Sequence, residues 1–152
     1  MPETIYDALR ESHERQRSLC RKLLRSKSGT QERQDLFTGL RIELAAHAAA
    51  EERYLYVPIL MHDMGLMVSR HALAEHHEID ELIEKMQETK LSDRGWMAKA
   101  RKLSKEVHHH LREEEKGFFQ VSGKILSGAQ KLKLAKQYRK DFVRMHKKLA
   151  EE

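Results

Sequence analysis

The feature that most constrains the fold of this 152-residue chain is a set of histidines and glutamates that recurs at a fixed interval. Three residues of the first half are each matched 63 positions later by a residue of the same type (76 − 13, 110 − 47, 114 − 51): His13 by His76, His47 by His110, and Glu51 by Glu114. Apolar positions, such as Leu40 and Leu103, repeat at the same interval. An internal repeat of this kind predicts two related supersecondary units that pack face to face.

Composition and spacing indicate that these units are helical hairpins. Charged residues make up 35% of the chain and there are only two prolines, which favours long helices over strands. The predicted helices cover residues 4–26, 31–61, 66–89, 93–121 and 129–150, with a bend or an end near Pro58. We therefore predict an all-α, antiparallel up-down-up-down four-helix bundle built from two repeated hairpins (4–121). A fifth, C-terminal helix (129–150) completes a single domain of residues 1–152.

Each repeated histidine interrupts the apolar face of its predicted helix, and in two helices a glutamate follows one turn later. On the second helix, Leu40, Leu44, His47 and Glu51 share one face at steps of three or four residues. Burying two carboxylates costs several kcal/mol each unless strong partners compensate. The sequence therefore predicts a metal site in the bundle, with His13, His47, Glu51, His76, His110 and Glu114 as ligands. Imidazole and carboxylate ligands suit iron, manganese, zinc or cobalt, and carboxylates able to bridge favour two ions over one.

The other six histidines are predicted to lie on the surface or beside the site. They fall off the apolar faces that carry the predicted ligands, and they are His62, His71, His77, His108, His109 and His146.

The order His, His-x-x-x-Glu, His, His-x-x-x-Glu resembles the hemerythrin-like, HHE cation-binding family. The matching segments are His13, the stretch HAAAEE from His47, the stretch EHHEI around His76, and the stretch HLREEE from His110. This resemblance implies a non-haem centre of two iron ions, bridged by carboxylates and an oxo or hydroxo group, that meets O₂ or a related small oxidant. The chain departs from the oxygen-carrying hemerythrins because Ala72 and Asp80 occupy the positions four residues from His76, where a further histidine is expected.

One iron is therefore expected to have fewer protein ligands, and Tyr54 is the candidate to supply one. It follows His47 by seven residues and so lies on the same face of a regular α-helix, although a packing role is the alternative.

Three functions fit these residues. The first is a redox protein that binds O₂ or decomposes peroxide, with catalase-like turnover. The second is a non-catalytic sensor, carrier or store for O₂, nitric oxide or iron, and the third is a metal site that only stabilises the bundle.

The rest of the sequence narrows the setting and the partners. No apolar run approaches the roughly 20 residues of a membrane span, no signal peptide is evident, and the single cysteine, Cys20, excludes an internal disulfide, so we expect a cytoplasmic protein. The net charge is +5, and basic residues are most frequent in the last helix. No nucleic-acid-binding motif accompanies them, which makes nucleic acid an unlikely partner. The apolar stripe of that helix, from Leu132 to Met145, is expected either to cover the bundle or to mediate homo-oligomerisation.

Overall fold

The computed structural model describes residues 2–152 and is all-helical, as predicted, with no strand among those residues. The helices are α1 (Ile5–Arg25), α2 (Gln31–Glu51), α3 (Val57–Leu60), α4 (Leu66–Gln87), α5 (Arg94–Glu113), α6 (Phe119–Ile125) and α7 (Gly128–Ala150). Five of them, α1, α2, α4, α5 and α7, are long. The up-down-up-down order of the bundle remains a prediction.

Side-chain caps fix the starts of four of the five long helices, α1, α2, α5 and α7. Thr4 and Asp7 form a capping box at the start of α1, and Ser127 and Gln130 form another at α7. Each box satisfies two backbone N–H groups that lack a partner in the first turn of a helix. These polar residues therefore determine where the chain enters the bundle.

Two π-helical turns lie within the helices predicted over 31–61 and 93–121. One turn, Glu52–Tyr56, separates α2 from α3, and the other, Glu114–Phe118, separates α5 from α6. The first turn lies just before Pro58, where a bend or an end was predicted, whereas no irregularity was predicted for the second helix. A π-turn holds extra backbone per turn, so it rotates every following side chain about the helix axis.

A polar layer divides the core into two apolar clusters. The first cluster includes Ile5, Leu9, Tyr56 and Phe119, and it extends to Tyr138 of α7. The second includes Leu23, Phe37, Leu40, Trp96 and Leu103. The repeated histidines and glutamates lie between these two sets along each of the four bundle helices. The site is thus enclosed by packed apolar side chains on both sides.

Helix α7 packs against α1 and α2. Its buried residues are Ala135, Tyr138, Asp141 and Phe142, three of which belong to the predicted apolar stripe. In this structure the stripe covers the first hairpin, which is one of the two expected roles, and homo-oligomerisation remains a prediction. Within residues 2–152, no helix combines the length and apolar character that crossing a membrane requires.

Gly65, at the start of α4, provides a test of the packing between α3 and α4. A Cβ at this position would overlap the carbonyl oxygen and a side-chain methyl of Ile59, which is itself fully buried. We expect Gly65→Ala to lower the free energy of unfolding by about 1–3 kcal/mol, measured by urea denaturation.

Gly39 is the matched control. It lies inside α2, and a Cβ added at this position would have no neighbouring atom within 4 Å. Gly39→Ala should therefore leave stability unchanged or raise it by up to about 1 kcal/mol, because alanine restricts the unfolded chain. Equal effects of the two substitutions would contradict the close approach at Gly65.

Candidate metal centre

The structure brings the six predicted ligands together in the polar layer, here called the buried cluster. Each has a fractional exposure of 6% or less, and they are His13, His47, Glu51, His76, His110 and Glu114. They form two groups of four. His13 and His47 belong to one group, His76 and His110 belong to the other, and Glu51 and Glu114 belong to both. Two shared carboxylates between two pairs of histidines form an arrangement able to bind two metal ions.

Distances within the two groups follow the sequence repeat. Oε1 of Glu51 lies 3.1 Å from Nε2 of His47 and 3.2 Å from Nε2 of His76. Glu114 contacts the other two histidines: its Oε1 lies 3.3 Å from Nε2 of His13, and its Oε2 lies 3.5 Å from Nε2 of His110. Each glutamate thus contacts one histidine of each group.

Unpartnered polar atoms show that the cluster fits a metal. Nε2 of His13, Nε2 of His47, both carboxylate oxygens of Glu51 and Oε1 of Glu114 are buried without a hydrogen-bond partner. Buried polar atoms are almost always paired, because leaving one unpaired costs about 1–3 kcal/mol. Five such atoms facing one another are explained together if they are metal-ligating atoms.

The Nδ1 atoms of the histidines are held by a second ring of side chains. Nδ1 of His13 lies 2.8 Å from Oε2 of Glu115, and Nδ1 of His76 lies 2.9 Å from Oε2 of Glu52. Glu52 and Glu115 are themselves related by the repeat, being 63 positions apart (115 − 52). Carboxylates in this position fix the ring orientation and leave Nε2 directed at the metal.

The repeat breaks at the remaining two histidines. Nδ1 of His110 lies 2.9 Å from Oε1 of Glu75. The residue equivalent to Glu75 is Ser12 (75 − 63), which is too short to play the same part. Instead, the Tyr138 hydroxyl from α7 lies 2.8 Å from Nδ1 of His47 and 2.7 Å from Oγ of Ser12. Helix α7 therefore contributes a side chain that orients one histidine of the buried cluster.

The structure places Tyr56, rather than Tyr54, in contact with the buried cluster. Tyr54 is only half-buried, whereas Tyr56 is fully buried and its hydroxyl donates a short hydrogen bond to Oε2 of Glu114. The same hydroxyl lies 3.3 Å from Nε2 of His76. The π-turn at residues 52–56 explains the difference, because the prediction for Tyr54 assumed a regular α-helix.

The position equivalent to Tyr56 in the second hairpin is Phe119, which has no hydroxyl. Its ring stacks on His13, with ring centroids 5.9 Å apart, as the ring of Tyr56 contacts His76 at 5.1 Å. The two halves of the cluster therefore differ, since only the half with His76 and His110 has a phenol hydroxyl on the Nε2 side of its histidines, whereas Tyr138 contacts the outer Nδ1 of His47.

The remaining six histidines are exposed or half-buried, as expected. Sequence reasoning missed Glu52, Glu115, Glu75 and Tyr138. The repeat at 63 positions was a usable signal for the first two. Nothing in the repeat indicated Tyr138, because α7 lies outside it.

The two buried carboxylates lie side by side, and their pKa values shift in opposite directions. Burial and the negative charge of Glu51 raise the pKa of Glu114 to about 7. Although burial also acts against ionisation of Glu51, His47 and the adjacent Glu114 carboxyl hold the pKa of Glu51 well below its usual value. Below about pH 7 the pair thus retains one proton, which a cation would displace on binding.

Burial and the same carboxylates also shift the pKa values of the histidines. Burial lowers the pKa of His13, but the adjacent carboxyl groups of Glu114 and Glu115 outweigh burial and raise it to about 9. For His47 burial dominates and lowers the pKa to about 4.

A groove of about 760 Å³ reaches the buried cluster from the side of α4 and α5. Its lining includes His110 and Glu114 of the cluster and the apolar side chains of Val68, Ala72 and Phe118. Small molecules therefore have a route toward the half of the cluster that contains Tyr56.

The raised pKa of Glu114 predicts a pH-dependent effect of Glu114→Gln in protein freed of metal with a chelator. Ionisation of Glu114 opposes folding, and this cost is absent below its unfolded pKa of 4.5 and grows as the pH rises through about 7. We expect Glu114→Gln to raise the urea midpoint at pH 8, with a smaller gain at pH 5.

Glu115→Gln is the control, because its expected effect on the urea midpoint has the opposite sign. Burial opposes ionisation of Glu115, but hydrogen bonds from His13 and Arg17 lower its pKa to about 2. Its charge therefore stabilises the fold above the unfolded value of 4.5, and Glu115→Gln should lower the midpoint at pH 8. A Glu114→Gln variant that is less stable than the parent by the same amount at both pH values would contradict the assignment.

Comparisons with known proteins agree with this geometry. Residues 4–121 match the family model described as the hemerythrin HHE cation-binding domain. The fold is similar to the crystal structure of a hemerythrin HHE cation-binding domain-containing protein from Mycobacterium kansasii, with a TM-score of 0.85 and 23% identity over 95% of this chain and 88% of the other. No curated protein matches the sequence significantly. The match over residues 4–121 and the buried histidine–glutamate cluster show that this chain belongs to the hemerythrin HHE cation-binding domain family.

Proposed function

We propose that this protein is a non-haem di-iron protein that binds O₂ or reacts with peroxide at the buried cluster. The observation that carries the proposal is the sharing of Glu51 and Glu114 between two groups of buried histidines. Two carboxylates that each face both groups suit a pair of ions better than a single ion.

The residues assigned to each ion follow from the two groups. His13 and His47 would hold one ion, His76 and His110 the other, and the two glutamates would bridge them. No cysteine takes part, since Cys20 belongs to an apolar cluster, and this disfavours thiolate zinc and iron–sulfur sites. Iron, when bound, supplies two centres that change between ferrous and ferric states and can exchange two electrons with a small oxidant.

The surrounding side chains make the two halves of the site unequal. On the side of His76 and His110, the Tyr56 hydroxyl is available as a further ligand or as a hydrogen-bond donor to Glu114. On the side of His13, the apolar ring of Phe119 excludes water. The groove reaches the half with Tyr56, so we infer that an incoming molecule meets that half first.

This groove favours a reactive site over a purely structural one, because a site that only joins helices needs no route from solvent. A non-catalytic sensor, carrier or store shares the same route and is distinguished from an enzyme by turnover. In a catalase-like reaction two H₂O₂ yield one O₂ and two H₂O, so no external reductant is required. The cytoplasmic setting expected from the sequence provides reducing conditions in which iron is supplied in the ferrous state.

The decisive experiment combines iron content with peroxide turnover. Protein loaded anaerobically with ferrous iron should retain two irons per chain after desalting, and peroxide should then produce O₂ at an electrode. Reversible changes in absorption on exposure to O₂ without peroxide turnover would favour a carrier or sensor. A single zinc ion, or a centre inert to both oxidants, would overturn the redox proposal.

Tyrosine variants test which tyrosine lies at the iron. We expect Tyr56→Phe to change the visible absorption spectrum of the ferric protein and its peroxide turnover, because the phenol contacts His76 and Glu114. Tyr54→Phe is the matched control, since Tyr54 is two residues away and half-buried, and it should alter neither. An effect confined to Tyr54→Phe would instead support Tyr54 as the tyrosine at the iron.

A further inference from the structure

A second cluster of histidines and glutamates lies outside the buried cluster, beside the groove. It consists of His71 and Glu75 on α4 and His109 and Glu113 on α5, and all four line the groove. We call it the rim cluster. His71, His109 and Glu113 are between 43% and 64% exposed at the side chain, whereas Glu75 is 10% exposed. An ion in solution can therefore reach it directly.

The four side chains converge from two helices. Nε2 of His71 lies 3.0 Å from Oε2 of Glu113 and 3.6 Å from Oε2 of Glu75. Nε2 of His109 lies 3.3 Å from Oε1 of Glu113 and 3.6 Å from the same Glu75 oxygen. In a tetrahedral site with metal–ligand distances near 2.0–2.1 Å, adjacent ligand atoms are about 3.3 Å apart. The distances from Nε2 of His71 fit that geometry with small adjustments, and ligand atoms of His71, Glu75 and Glu113 all lie within 4.8 Å of one another. His109 lies beside this set of three and contacts both of its glutamates.

Surface His–Glu pairs are common, and the chain contains a simple one for comparison. Nε2 of His77 lies 2.7 Å from Oε1 of Glu81, one turn further along α4, and both side chains are exposed. Within residues 2–152, the structure shows no third ligand beside that pair. At the rim cluster, by contrast, each glutamate contacts two histidines, which a pair within one helix cannot achieve.

The repeat shows that the rim cluster is not needed to form the bundle. Shifting by 63 positions places His71, His109 and Glu113 on Ala8, Ala46 and Ala50. These three alanines are fully buried in the cluster that includes Tyr138 and Phe142 of α7. The first hairpin therefore uses small residues on this face to dock α7. The second hairpin leaves the equivalent face open and carries metal-ligating side chains there.

Glu75 connects the rim cluster to the buried cluster. Its Oε2 atom faces His71 and His109, while its Oε1 atom lies 2.9 Å from Nδ1 of His110. Glu75 and His110 also line the same groove. An ion at the rim would thus lie at the entrance to the buried cluster, one side chain away from it.

We propose that His71, Glu75 and Glu113, with His109 beside them, form a separate surface site for a divalent transition-metal ion at the mouth of the groove. Imidazole and carboxylate ligands suit Zn²⁺, Fe²⁺ or Mn²⁺. Such a site holds a cation from solution next to the route that leads to the buried histidines. The site shares Glu75 with the surroundings of His110 but does not depend on which metal the buried cluster holds.

Zinc binding tests the proposal. Parent protein and variants, as purified, are dialysed against Zn²⁺, and all bound metals are counted per chain. His71→Ala and Glu113→Gln should each bind one ion fewer than the parent, or bind it at least tenfold more weakly, with the metal of the buried cluster retained. His77→Ala, which removes the simple surface pair, should match the parent.

The comparison with the parent keeps this test separate from the proposed function. A parent that retains no iron after anaerobic loading, but binds one more zinc ion than His71→Ala, would support the rim site and reject the di-iron proposal. Equal zinc content in the parent, His71→Ala and Glu113→Gln would overturn the rim site, whatever the buried cluster contains. Because His71 and Glu113 are exposed, neither substitution is expected to unfold the protein.

Discussion

The structure depends on the burial of two carboxylates, Glu51 and Glu114, side by side in a helical core. Such a pair is unfavourable on its own, and the chain surrounds it with four histidines whose outer nitrogens are held by further side chains. Apolar clusters pack against this layer on both sides. Cation binding, for which the family is named, would compensate for this burial of charge.

The two repeated hairpins have diverged in sequence, so the surroundings of the two halves of the cluster differ. The inner arrangement obeys the repeat closely, down to the carboxylates that hold His13 and His76. Outside it the halves differ, because α7 covers one face and supplies Tyr138, whereas the equivalent face is open and carries Glu75. Tyr56 and Phe119 add a second difference next to the cluster itself. The groove from solvent reaches His110 and Glu114, next to the Tyr56 phenol.

The sequence predicted the helical class and the residues that come together, because helical periodicity and the 63-residue repeat place them on apolar faces. The prediction from sequence failed where the backbone departs from a regular α-helix. Tyr54 was proposed, and Tyr56 was not considered, because a π-turn after Glu51 cannot be recognised from a pattern that assumes 3.6 residues per turn. Tyr138 was missed for another reason, since its contact with His47 spans 91 positions and depends on how α7 docks. Local patterns carry no information on such a long-range contact.

The central claim is that Glu51 and Glu114 bridge two metal ions, and anomalous X-ray diffraction tests it most directly. Crystals of the iron-loaded protein would be measured above and below the iron absorption edge. The account predicts two anomalous peaks per chain in the buried cluster, one beside His13 and His47 and one beside His76 and His110, with both carboxylates between them. A single peak, or peaks that leave either glutamate without contact to a metal, would contradict it.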